Sequence, residues 1–60
     1  MMKFNKHNRY DIDIIEKHLM IKNENGFDLR IYEDDTYTYM FARASKNVYE
    51  LIGKHEKEKR

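Results

Sequence analysis

Leu19-Met20-Ile21-Lys22-Asn23-Glu24-Asn25-Gly26-Phe27-Asp28-Leu29-Arg30-Ile31 decides the fold of this chain. Asn25-Gly26 between two apolar runs is the strongest short-range signature of a β-hairpin. A two-residue loop of Asn25-Gly26 pairs Lys22 with Leu29 and Met20 with Ile31, which mixes polar and apolar side chains on one face. A three-residue loop of Glu24-Asn25-Gly26 opposes Asn23 to Phe27, Ile21 to Leu29 and Leu19 to Ile31. It also matches Lys22 with Asp28 and Met20 with Arg30 on the other face. Directly opposed pairs of like polarity stabilise a sheet, so the three-residue loop is preferred, with Gly26 at a left-handed position.

Downstream, Glu33-Asp34-Asp35-Thr36 marks a second reversal, because Asp favours turns. Thr36-Tyr37-Thr38-Tyr39-Met40-Phe41 then reads as a strand, rich in β-branched and aromatic residues. A loop of Asp34-Asp35-Thr36 opposes Ile31 to Tyr39 and Leu29 to Phe41, and turns Tyr37, Tyr39 and Phe41 inward. Farther on, Ser45 or Asn47 caps an expected C-terminal helix, with Glu50 three residues beyond Asn47. Val48, Leu51, Ile52 and His55 follow helical spacing, and Gly53 weakens that helix. Lys54 to Arg60 is a charged end in which Glu56 and Glu58 alternate with lysines, the pattern of a solvated helix face.

Upstream, Tyr10-Asp11-Ile12-Asp13-Ile14 alternates as a strand does. Asp13 and Glu16 have capping-box spacing, and Ile12, Ile15 and Leu19 share a helical face, so a short helix competes; the strand is preferred. Residues 1–8 have no periodicity and are read as a flexible arm, leaving residues 9–60 as one domain. The expected fold is therefore α+β: a three- or four-stranded antiparallel sheet, turning at Asn25-Gly26 and packed against one C-terminal helix.

Composition bounds what such a domain does. A 60-residue chain buries only about 60% of the surface its unfolded form exposes. Without cysteine it has neither a disulfide nor a thiolate zinc site to staple it. Packing or a partner must substitute, and self-association as a homodimer is expected. The 40% apolar content is too high for a disordered tail. No apolar run is long enough for a membrane span or a signal peptide, so the expected setting is cytoplasmic and off the membrane. Abundant Phe, Tyr, Ile, Asn and Lys, with two Gly and no Pro, point to AT-rich codons and hence to a low-GC bacterium or its phages and plasmids.

Charge is uneven along the chain although the net is +1. Lys3, Lys6 and Arg9 begin it, residues 10–35 are acidic, and residues 36–60 are basic. A near-neutral total does not mark a nucleic-acid binder, and three phosphate contacts give only weak, salt-sensitive affinity.

Candidate chemistry is sparse. His7, His18 and His55 lack metal-ligand spacing, and Glu33-Asp34-Asp35 lacks the alternating ligands of a calcium loop, so no metal or cofactor is expected. Ser45 has no glycine-rich elbow, and neither a phosphate loop nor a dinucleotide fingerprint is present. No catalytic residue is assigned, and the chain is read as a non-enzyme. In the expected registers, Met20, Lys22, Arg30, Tyr32 and Met40 lie on the outward sheet face, and Met, Tyr and Arg are interface-enriched residues. Asp34 and Asp35 join them as a steering element toward a basic partner. The resulting expectation is a protein-binding regulator or inhibitor, a phage or mobile-element accessory that blocks a larger host protein. The alternative is a small nucleic-acid-binding domain using a sheet face and the basic termini.

Overall fold

The computed structural model describes residues 3–26 and 28–58. In chain order they form β1 (Arg9–Asp11), α1 (Ile12–His18), β2 (Met20–Asn25), β3 (Leu29–Glu33), β4 (Tyr37–Ser45) and β5 (Val48–Glu56). The strands make one five-stranded antiparallel sheet in the order β1-β5-β4-β3-β2. The expected sheet of three or four strands against a C-terminal helix is thus corrected on both counts. The helix lies near the N-terminus, and the segment read as a C-terminal helix is β5.

The physical reason for β5 lies in what it pairs with. Ser45 does not cap a helix but opposes Val48 across the Lys46-Asn47 turn, and β5 then runs beside β4 for its whole length. Tyr49 and Leu51 alternate into the core, as period-two patterning requires. Two bulges then disturb the alternation. Ala44 has no partner in the register, and neither has Ile52, which falls between the pairs Phe41–Leu51 and Met40–Gly53. Ile52, at the second bulge, stands at helical sequence spacing from Val48, Leu51 and His55, which imitates an amphipathic stripe.

Upstream, strand and helix share the contested segment. Arg9, Tyr10 and Asp11 pair with Glu50, Tyr49 and Val48, after which the chain turns into α1. Asp11, rather than Asp13, is the N-cap, and its Oδ1 accepts from the Asp13 N–H at 3.4 Å. Ile15 and Leu19 are buried on one side of this single-sided helix, with Ile12 half-buried against the core.

Both hairpin registers differ from expectation. Gly26 does hold a positive φ of 67°. The pair that closes the turn, however, is Asn25 with Leu29. Ile21 opposes Tyr32, Met20 opposes Glu33, Asn23 opposes Ile31 and Glu24 opposes Arg30, with a bulge between Ile21 and Asn23. Phe27, expected opposite Asn23, lies outside the described residues. In the second hairpin Tyr32 opposes Tyr39, Arg30 opposes Phe41 and Ile31 opposes Met40, one residue from the expected register. A one-residue slip moves a whole strand's side chains to the other face. Tyr32 and Arg30 are therefore on the core side, and Leu29 and Ile31 are on the outer side.

The core gathers Phe4, Ile15, Leu19, Tyr32, Tyr39, Phe41, Tyr49 and Leu51. Phe4 comes from the segment read as an arm, so the packed domain extends into it. Its ring makes edge contacts with Tyr10, Tyr39 and Phe41 at 4.8–6.1 Å between centroids. The same segment is fastened to β5: His7 N–H donates to the Leu51 carbonyl at 2.7 Å, and Leu51 N–H donates to Asn8 at 3.0 Å. Helix α1 and this N-terminal segment cover one face of the sheet. Among the described residues, nothing packs over the other.

Candidate functional site

The seven residues singled out as a binding face separate into three environments. Tyr32 and Arg30 belong to the covered side. Tyr32 is fully buried, and its hydroxyl donates to Glu16 at 3.2 Å. Arg30, with 20% of its side chain exposed, is 3.3 Å from Glu16 and 3.0 Å from Glu24, and its guanidinium lies 5.3 Å from the Tyr49 ring centre. Its Nε is buried without a hydrogen-bond partner. Burial raises the Tyr32 pKa and Glu16 adds to the shift, while the hydrogen bond from Arg30 opposes it. This cluster fastens α1 to β3.

Asp34 is a turn residue in the full chemical sense. One carboxylate oxygen accepts from the Thr36 N–H at 2.8 Å and the Tyr37 N–H at 2.6 Å, and the other accepts from the Tyr39 hydroxyl at 2.8 Å. Burial works against its ionisation. The two backbone N–H groups, the Tyr39 hydroxyl and the positive charge of Lys57 outweigh that penalty and hold its pKa below the usual value. Burial and the bond to Asp34 together push the Tyr39 hydroxyl well up. With three hydrogen bonds from the fold on its carboxylate, Asp34 shapes the β3–β4 turn.

Met20, Lys22, Met40 and Asp35 remain on the surface. Met20 is 76% exposed and Ile21 50% exposed, both on β2, an edge strand whose residues are all exposed. Lys22 sits at the β2 bulge, 3.8 Å from Glu33, which also meets Lys57 at 3.3 Å. Beside Met20 opens a groove of about 490 Å³, lined by Phe4, His18, Leu19, Met20, the turn from Glu33 to Thr36, and Lys57. Sequence reasoning missed Phe4, His18 and Leu19 as parts of one surface, because only the fold brings α1 beside the β3–β4 turn. Met40, 37% exposed, is elsewhere, on the open face of the sheet opposite Ile31 and Gly53.

Among the described residues no group of three or more His, Cys, Asp or Glu side chains gathers as a metal site. No described helix is long and apolar enough to cross a membrane. The geometry therefore offers a mixed apolar and acidic groove beside the exposed Met20 at the start of an edge strand, and, separately, an open sheet face. Compared with protein-family models, curated proteins and solved structures, the chain matches none.

Proposed function

We propose that this chain is a non-enzymatic protein-binding regulator that acts in the cytoplasm by occupying part of a larger protein's surface. A phage or mobile-element accessory of a low-GC bacterium is the setting its composition suggests. One observation carries the reading: Met20, a large apolar side chain that is 76% exposed on an edge strand, stands at the rim of a groove. Exposed apolar groups clustered with a few polar ones are the usual mark of an interaction surface.

The lining specifies the chemistry of the segment that fits. Phe4, Leu19 and Met20 suit aliphatic carbon, and Asp35, exposed at the turn, suits a cation. A basic, amphipathic stretch of the partner satisfies both, with lysine or arginine stems over the apolar wall and their heads near the acidic turn. Long-range attraction by the acidic middle of the chain would raise the on-rate toward such a partner. The nucleic-acid alternative has weaker support, because Arg9 is engaged with Glu50 at 3.5 Å and Lys57 with Glu33.

Capture by the immobilised protein from a low-GC bacterial lysate, followed by titration of the isolated partner, tests the proposal. Met20→Asp and Asp35→Lys should each weaken that titration at least tenfold while the circular dichroism and melting midpoint stay near wild type. Unchanged affinity in both variants would remove this edge from consideration. Duplex or single-stranded DNA binding that is micromolar or tighter and survives physiological salt would favour the alternative instead.

A further inference from the structure

We propose that the open face of the sheet is the contact surface of a homodimer, closed by the same face of a second copy about a two-fold axis. The face is built from cross-strand neighbours. Ile31 opposes Met40, which opposes Gly53, and Leu29 opposes Ala42. Met40 is 37% exposed and Ile52, at the adjacent bulge, is 39% exposed, on strands that lie at the centre of the sheet. A central sheet position so open on a chain with no staple is apolar surface that another layer would bury, as sheets packed face to face do.

Three features select a second copy over a different partner. The first is charge. The ionised groups bordering the face are paired within the chain, Arg9 with Glu50 and both Lys22 and Lys57 with Glu33. Glu50 stands on the face opposite Ala42 but is paired with Arg9, and the row Ile31–Met40–Gly53 carries no charge, so two copies meet there without like-charge repulsion.

The second feature is shape. Gly53 directly opposes Met40, and a Cβ there would lie 3.4 Å from the Met40 Cβ. The missing side chain leaves a hollow beside a flexible, projecting one. A two-fold axis passing between these strands seats each Met40 over the Gly53 of the other copy, a reciprocal fit that isologous contacts require.

The third is area. Only β4 and β5 run nine residues; the five strands together hold 32 residues, which at ~3.3 Å per residue and ~4.8 Å between strands cover roughly 500 Å² in projection. Side-chain relief brings this toward the ~800 Å² that each partner contributes to a standard interface. A second copy has a face of matching extent and uses all of it.

Sedimentation equilibrium over a range from micromolar to several hundred micromolar chain tests this directly. Wild type should rise from the 7.4 kDa chain mass toward twice that value, with a melting midpoint that climbs with concentration. Met40→Asp should stay at the single-chain mass throughout. Gly53→Val fills the hollow without a forbidden backbone, since the glycine with positive φ is Gly26 and not Gly53. It should weaken association at least tenfold while keeping the strand-rich circular dichroism. Gly53→Val and wild type decide the matter should Met40→Asp fail to fold. Wild type that stays at one chain mass with a fixed midpoint overturns the proposal. So does a wild-type dimer that Gly53→Val leaves equally tight.

Discussion

Asp34 shows what one side chain does in a domain this small. Its carboxylate gathers two backbone N–H groups and the Tyr39 hydroxyl, fixing the turn that sets the β3–β4 register. The sequence marked Glu33-Asp34-Asp35 as a reversal, because short acidic side chains cap their own backbone. It did not reveal that the loop is one residue longer, running from Asp34 to Tyr37 between the pair Glu33–Thr38. A depressed folded-state pKa has a definite consequence for stability. The contribution is complete above the unfolded value near 3.8 and is lost as pH falls from there through the lower folded value. The melting midpoint should therefore drop on acidification below that point, and Asp34→Asn should flatten the drop while lowering the midpoint at neutral pH. Parallel midpoint-versus-pH curves for the two proteins would show that Asp34 carries no such linkage.

At the scale of elements, the strands β3 and β4 and the turns on either side of β3 were legible, and the registers, the turn after β4 and the last element were not. Asn25-Gly26 locates the first reversal, but β2 is an edge strand exposed along its whole length, so matching its apolar residues to those of β3 carries little energy. The register is set instead by β4, which draws Tyr32 and Arg30 to the side where α1 and Phe4 lie. The C-terminal segment misled for a different reason. Its inward residues are Tyr49 and Leu51, then Lys54 after the bulge at Ile52. Lys54 lies opposite Tyr39, with its ammonium 4.4 Å from the Tyr37 ring centre and 3.2 Å from the Phe4 carbonyl. A bulge and a buried-side lysine together erase the alternation that announces a strand. Leu51 is fully buried all the same. Leu51→Ala should cost about 2–5 kcal/mol in urea denaturation, enough to unfold much of so marginal a domain. A variant with the wild-type midpoint would mean that β5 does not carry the core.

For the whole molecule, the governing fact is that, among the described residues, one face of the sheet is covered and the other is not. Helix α1 and the segment around Phe4 suffice for one side of a 60-residue chain, and the other side is left apolar in its middle. Of the residues first grouped as a binding face, the fold keeps Met20, Lys22, Asp35 and Met40 at the surface but divides them between an edge and a face. Residue type was readable from the sequence; side was not, because side depends on register. The arrangement of the sheet rests on β5 being a strand, since a helix there would cover one face and leave the other differently paired. The most direct test is a nuclear Overhauser spectrum of uniformly labelled protein across β4 and β5. The structure requires cross-strand contacts between Phe41 and Leu51, Met40 and Gly53, and Tyr10 and Tyr49, with extended-backbone carbon shifts from Val48 to Glu56. Sequential helical contacts between residues three apart over Val48–His55, with helical shifts and no Phe41–Leu51 contact, would contradict the account.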